Sequence, residues 1–284
     1  MTTQFIGIGA QKCASTWVYA ILREHPQIFH SEPKELDFFS HFYGRGSQWY
    51  SRFFEKANHH LAVGENSPSY FHHPLAPERA RRHNPNFKIL VVLRDPIERA
   101  FSNHLHLIKA GYLKGPDFTF EYGLSNNPMY LEQSRYATHL SRWLSLFPRE
   151  QVLVTLHEDI QSDPESAANQ ICQFLEVGDH ALTSAGRRSN ESRTANSPAL
   201  ESALSLTSRG FRAIGLTRWL ANSHTRRWID QLHKVNTTDL REVVPPMSAE
   251  MRSHLTAILR PEVEELTRLL NRSKFPWKHW WPDQ

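Results

Sequence analysis

Short, continuously apolar runs separated by stretches of helical periodicity set the character of this chain. Phe5-Ile6-Gly7-Ile8, Leu61-Ala62-Val63-Gly64, Lys88-Ile89-Leu90-Val91-Val92-Leu93 and Val152-Leu153-Val154-Thr155-Leu156 are too short for stable helices and read as buried strands. Between them the pattern predicts helices over residues 15–25, 76–83, 97–110, 131–147 and 165–175. Strands alternating with helices predict an α/β domain whose central parallel sheet is flanked by helices in three layers. Beyond residue 199 the pattern is helical. It ends in 248–270, where Met251, Leu255, Ile258, Leu259, Val263, Leu266, Leu269 and Leu270 recur at helical spacing and Pro261 marks the expected point of a kink or break. The expectation is one domain over residues 1–284 with a helical C-terminal part. Segments 111–130 and 184–198, rich in Gly, Pro, Ser or Asn, read as hinge-like loops rather than linkers.

Two strand ends carry the candidate chemistry. The first apolar run leads into Gly7-Ile8-Gly9-Ala10-Gln11-Lys12-Cys13-Ala14-Ser15-Thr16-Trp17, a glycine-containing turn that opens a helix. Backbone amides, a lysine and two hydroxyls converging on a helix N-terminus make an anion site, so the fold expected is of P-loop type. A standard nucleoside-triphosphate loop needs glycine before its lysine and a hydroxyl after it. Gln11 and Cys13 hold those places, which argues against a Mg-dependent kinase. The third run leads into Arg94-Asp95-Pro96-Ile97-Glu98-Arg99-Ala100-Phe101-Ser102. Pro96 suits a helix start, Arg94 falls at the strand end where open α/β sheets bind ligands, and Ser102 lies about two turns along the helix.

With these segments in view, the chain resembles the sulfotransferases that use 3′-phosphoadenosine 5′-phosphosulfate (PAPS). In that family a lysine-containing loop holds the 5′-phosphosulfate, and an Arg…Ser pair in a V-L-R-D-P-x-x-R-x-x-S context holds the 3′-phosphate. The closest likeness is to the heparan-sulfate-modifying branch and its bacterial relatives, through Lys34-Glu35-Leu36-Asp37-Phe38-Phe39 and Gly64-Glu65-Asn66-Ser67-Pro68-Ser69-Tyr70-Phe71. Asn66 stands where the branch usually has lysine, and Asp37 where its glycan O-sulfotransferases often have histidine. Tyr136, Leu140 and Trp143 match a further family stretch, and Gly186-Arg187-Arg188 resembles the basic loop that covers the donor.

The resemblance implies roles. Glu35 is the general base, and Lys12 neutralises the leaving phosphate. Lys12, Cys13, Ala14, Ser15, Thr16 and Trp17 bind the 5′-end of the donor, while Arg94, Ser102, Gly186, Arg187 and Arg188 bind its 3′-phosphate and cover it. His106, four residues beyond Ser102 and on its face, corresponds to a histidine near the reacting sulfate in the N-sulfotransferase relatives. The reaction expected is direct in-line transfer of a sulfuryl group to a hydroxyl or amine, on a carbohydrate or glycoconjugate, releasing 3′-phosphoadenosine 5′-phosphate (PAP). No metal is required. A P-loop kinase-like phosphotransferase, or a sulfotransferase acting on a lipid or phenolic small molecule, are the alternatives.

Composition narrows the partners. A formal charge of +4 and an isoelectric point near 9.1 suit an anionic donor, but no basic stripe interleaved with aromatics, zinc finger or RNA-binding signature points to nucleic acid. Cys13 and Cys172 form no disulfide framework, and no CxxC or HExxH spacing marks a metal site. The pairs His59-His60 and His72-His73 read as surface features. No signal peptide or apolar run of membrane-spanning length is present, so the expectation is a cytoplasmic enzyme of bacterial type without stable membrane insertion. The sequence does not specify an oligomeric state. The aromatic end Phe275-Pro276-Trp277-Lys278-His279-Trp280-Trp281-Pro282 is expected to dock on the core rather than stack on a sugar.

Overall fold

The computed structural model describes residues 3–113, 118–186, 193–195 and 237–281, with only the backbone at 193–195 and 237–238. Five parallel strands, β1 (Phe5–Gly9), β2 (Ile28–His30), β3 (Ala62–Asn66), β4 (Lys88–Leu93) and β5 (Val152–Leu156), form a sheet in the order β2-β3-β1-β4-β5. β1 is paired on both sides, Phe5 opposite Gly64 of β3 and Lys88 of β4. The chain therefore leaves β1 to build one side of the sheet and crosses over it to build the other, which makes the C-terminal end of β1 the switch point where such sheets open a ligand crevice.

Helices flank the sheet: α1 (Ser15–Glu24), α2 (Ser47–Ser51), α3 (Ala76–His83), α4 (Pro96–Lys109), α5 (Phe120–Asn126), α6 (Met129–Glu132), α7 (Tyr136–Leu144), α8 (His157–Ser162) and α9 (Pro164–Phe174). A two-stranded antiparallel pair, β6 (Arg193–Ala195) and β7 (Thr237–Asp239), precedes α10 (Leu240–Val243) and the long α11 (Ala249–Leu269). Strands β1, β3 and β4 are almost wholly buried, as the apolar character of β1 and β4 requires, while β3 ends in the buried polar pair Glu65 and Asn66. No described helix is long and apolar enough to cross a membrane.

Several expectations change in detail. β2, at the sheet edge, has three residues and was too short to stand out in the pattern. The helix expected over 131–147 is two, α6 and α7, broken at Gln133–Arg135. There the fully buried Arg99 donates to Gln133 Oε1 at 3.1 Å, to Ser134 Oγ at 2.8 Å and to the Tyr130 carbonyl, which accepts from this side chain while Ser134 N turns to the Leu131 carbonyl. Segment 111–130 contains α5, capped by Thr119, and the start of α6. Residues 193–195, read as part of a loop, pair with 237–239. α11 runs through Pro261 without a break, its buried Leu255, Leu259, Val263 and Leu266 packing one face.

Both cysteines are buried and free. Of the histidine pairs, His59 is exposed, but His60 packs edge-on against Phe29 with ring centroids 5.3 Å apart. His72 is partly covered beside His139, and burial pushes its pKa down to about 4. The aromatic end docks on the core: Trp277 and Trp280 are each 1 % exposed, and their indole N–H groups donate to Glu158 Oε2 at 3.2 Å and Asp95 Oδ2 at 2.9 Å. Pro282 lies outside the described residues.

Candidate active site at the ends of β1 and β4

The loop from β1 to α1 is shaped by its backbone. Gly9 takes φ +124°, and a Cβ there would come within 2.8 Å of the Pro68 carbonyl. Lys12 and Ala14 both adopt left-handed φ, 66° and 70°, on either side of Cys13. Non-glycine residues take this conformation at a cost, and alternation of this kind turns successive amides toward one concavity that suits an anion. The first intrahelical bond of α1 runs from Val18 N to the Ala14 carbonyl, which places a helix N-terminus at the same point.

The side chains of the loop divide by direction. Cys13 is fully buried, with Sγ 3.7 Å from the Tyr136 hydroxyl, and burial pushes its thiol up to about 11. Trp17 is buried too, donating from Nε1 to the Ala185 carbonyl at 2.9 Å. These two side chains therefore serve the core, and only their backbone is available to a ligand. Lys12 is placed differently: partial burial lowers its pKa to about 8 against the opposing charge of Glu35, with Lys34, Lys109 and Arg99 adding to the fall.

Glu35 stands on a strap between β2 and the aromatic residues Phe38 and Phe39. Its carboxylate pairs with Lys34 Nζ at 2.7 Å, and the same ammonium donates to Thr16 Oγ1 at 3.2 Å. Lys34 thus ties the strap to the first turn of α1. The strap is strained, with Glu35 at φ 63° and Asp37 at φ 50°, and it is clamped from below. Asp37 N donates to Ser67 Oγ at 2.9 Å and Phe38 N to the Tyr70 hydroxyl at 2.8 Å. Both hydroxyls in turn donate to the fully buried Glu65, whose pKa burial raises to about 7. Asn66 is buried and donates from Nδ2 to the Ser15 carbonyl at 2.9 Å, so at this position the chain supports α1 with an amide.

The second wall is α4. Asp95 caps it, Oδ1 accepting from Ile97 N at 2.9 Å and Glu98 N at 3.1 Å. From Pro96 to His106 every position is buried except Glu98, Ser102 and His106, which recur at four-residue intervals and form one open stripe. At one end of the stripe, desolvation and the ammonium groups of Lys12 and Lys109 lower the pKa of His106, while Glu35 opposes them. At the other, Arg94 Nη2 lies 3.7 Å from Glu98 Oε2. Lys12, Glu35 and His106 are thus electrostatic neighbours; Ser102 is the middle member of the stripe and Arg94 lies at its far end.

Gly186 follows a short anchored stretch, in which Glu24 accepts from Thr183 N at 2.9 Å and Ser184 N at 2.8 Å. Arg187 and Arg188 lie outside the described residues. Lys34, Ser67, Glu65 and Tyr70 were not singled out as site residues from sequence. The signal was present in the Lys34-Glu35 dipeptide and in the segment 64–71, but their convergence needs the parallel pairing of β2 with β3. Among the described residues no cluster of His, Cys, Asp or Glu is arranged to hold a metal ion.

A family model described as "Sulfotransferase domain" matches residues 2–244 of this chain. Over 98 % of its length the chain is 28 % identical to bifunctional heparan sulfate N-deacetylase/N-sulfotransferase 4 of Mus musculus and to bifunctional heparan sulfate N-deacetylase/N-sulfotransferase 3 of Homo sapiens. The match covers 31 % of each of those proteins, so the chain spans about a third of their length. In three dimensions it is similar to a sulfotransferase from Alicyclobacillus acidocaldarius, with a TM-score of 0.70 at 23 % identity, covering 96 % of this chain and 97 % of that one.

Proposed function

The chain belongs to the sulfotransferase domain family, and from that premise we propose that it transfers a sulfuryl group from PAPS to a hydroxyl or amine of a carbohydrate or glycoconjugate. The observation that carries this reading is the convergence of Lys12, Glu35 and His106 at the end of β1, beside a loop and helix N-terminus formed for an anion. PAPS is a bisphosphate-type nucleotide, and the residues fit it: amides and the Lys12 ammonium at one end of the α4 stripe, the Arg94 guanidinium and the Ser102 hydroxyl toward the other. Glu98 and His106 stand eight residues apart on that stripe, about 12 Å along a helix, a length on the scale of a nucleoside bisphosphate.

In the proposed reaction Glu35 takes the proton from the acceptor O–H or N–H as that atom bonds to sulfur. The bond between sulfur and the bridging oxygen breaks in line, and its electron pair leaves with the 5′-phosphate. Lys12 and the hydroxyls of Ser15 and Thr16 stabilise the charge that develops there. Lys34 holds Glu35 in place through its ion pair while bonded to Thr16, coupling the base to the phosphate loop. His106, its pKa lowered, is neutral near pH 7 and donates a hydrogen bond to a sulfuryl oxygen. The carbohydrate acceptor rests on the likeness to the heparan sulfate enzymes. Arg187 and Arg188 are proposed to cover the donor.

Calorimetric titration of the full chain with PAP, without metal, tests the donor; a Glu35→Ala variant tests the base. The expected result is PAP binding in both proteins, stronger than that of ADP, with sulfuryl transfer to a glycan amine or hydroxyl lost in the variant. Preference for ATP with Mg²⁺ would replace the donor assignment with the phosphotransferase alternative, and full activity in Glu35→Ala would remove the base.

A further inference from the structure

Beyond the strap and loop, the open end of α4 carries a second concentration of charge. Arg252 of α11 donates from Nη2 to Glu98 Oε1 at 3.0 Å, while Arg94 Nη2 and Arg241 Nη1 each lie 3.7 Å from Glu98 Oε2. One carboxylate therefore meets three guanidinium groups from three different elements: the end of β4, α10 and α11. Burial works to raise the Glu98 pKa, but the Arg252 hydrogen bond and the charges of Arg252, Arg94 and Arg241 outweigh it. The cluster retains two positive charges that Glu98 does not balance.

The nearest other carboxylates are committed elsewhere. Asp95 accepts from two helix amides and from Trp280, and Glu158 accepts from Asp95 N and Trp277. Neither forms an ion pair with these arginines among the described residues. His157, close to the cluster, has its pKa pushed down to about 4 by burial and by the charges of Arg94 and Arg241, so it is neutral. The cluster opens on a cavity of about 390 Å³ whose walls include Arg94, Arg252 and Lys278 together with Glu98, Asp95 and Glu158. The side chains of Arg94 and Arg252 are partly exposed, at 15 % and 28 %. The partly exposed guanidinium groups of Arg94 and Arg252 at this cavity, with Glu98 between them one turn from Ser102 on the same stripe, are donors that suit a phosphate monoester dianion.

We propose that Arg252 is a binding residue for the 3′-phosphate of the donor, completing from the C-terminal helix a site that Arg94 and Ser102 begin, with Glu98 as the carboxylate that positions both guanidinium groups. The inference rests on the donor reading above. It goes beyond it because Arg252 lies outside residues 2–244 matched by the domain model and comes to the donor site from the C-terminal helix. The docked aromatic end supports the same wall: Trp280 donates to Asp95 and Trp277 to Glu158, so each carboxylate has a hydrogen-bond partner of its own.

The test is calorimetric titration of the full chain and of Arg252→Gln with PAP and with adenosine 5′-phosphate, which lacks the 3′-phosphate. Arg94→Ala serves as a positive control, and thermal melting establishes that each variant is folded. A lost charge-assisted contact of this kind weakens binding by about tenfold or more. The expected result is such a loss for PAP in Arg252→Gln, with adenosine 5′-phosphate bound as by the wild type. If wild type and Arg94→Ala differ in their preference for PAP but Arg252→Gln does not depart from wild type, the inference fails and the donor reading stands. Equal losses for both nucleotides would likewise overturn it. A wild type that does not distinguish PAP from adenosine 5′-phosphate would overturn the donor reading and the inference with it.

Discussion

Lys12 makes the proposed donor site sensitive to pH in a range where a surface lysine would be silent. Its pKa falls from 10.5 to about 8, chiefly because the ammonium is partly desolvated at the end of β1. In the free protein about nine-tenths of Lys12 is charged at pH 7 and about one-tenth at pH 9. If the 5′-phosphate of PAP binds only the charged form, affinity falls about tenfold between those values, or about 1.4 kcal/mol. The direction follows from linkage: an anion raises the lysine pKa on binding, so binding takes up a proton near pH 8 and weakens as pH rises through that value. Phosphate ionises near pH 6 and does not change charge in this window, and the Cys13 thiol, at about 11, titrates above it. Glu65, at about 7, titrates at its lower edge, so a control is needed. Lys12→Arg supplies it, because a guanidinium stays charged throughout while Glu65 is unchanged. Titration calorimetry with PAP at pH 7, 8 and 9, in buffers of different ionisation enthalpy, reads both affinity and proton uptake. Wild-type affinity that is flat from pH 7 to 9, or a tenfold fall that persists in Lys12→Arg, would refute the reasoning.

Two further outcomes concern stability. Glu65 has a folded pKa raised from 4.5 to about 7 by burial, so the folded state binds more protons than the unfolded one between those values and stability falls as pH rises through them. The fall is about 3 kcal/mol from the shift alone; urea unfolding across pH 4.5 to 7 should show it in the wild type and a flatter profile in Glu65→Gln, and parallel profiles would contradict the account. Trp280→Phe keeps a ring in the core but removes the donor to Asp95 Oδ2 at 2.9 Å, leaving a buried carboxylate oxygen without that partner. A loss of about 1.5–3 kcal/mol is expected in urea unfolding, whereas unchanged stability would mean that the aromatic end does not hold the start of α4.

Much of the architecture is legible along the chain because its causes are local. The runs Lys88–Leu93 and Val152–Leu156 are strands with the boundaries their apolar character implies, and Ala76–His83 is likewise a helix as read. Burial on both faces demands continuous apolar character in a parallel strand, and that demand is written residue by residue. The loop before α1 and the Arg94–Ser102 segment were readable for a similar reason: each packs its glycines, cation, proline or hydroxyls within a dozen residues of one strand end.

What the linear pattern withholds are the contacts between segments far apart. The helix over 131–147 breaks because Arg99, more than thirty residues earlier, takes hydrogen-bond acceptors from Tyr130, Gln133 and Ser134. Glu65 clamps the strap that carries Glu35 through hydroxyls two and five residues away from it, but only because β2 and β3 lie side by side. Arg252 meets Glu98 across 154 residues. Which strands are buried, and where a candidate anion site begins, is written in the chain itself, since hydrophobic period and turn chemistry act over a few residues. The tertiary structure alone decided which charges share a neighbour and which side chains turn inward, because electrostatics and packing depend on distance in space, which the sheet order sets and sequence separation does not.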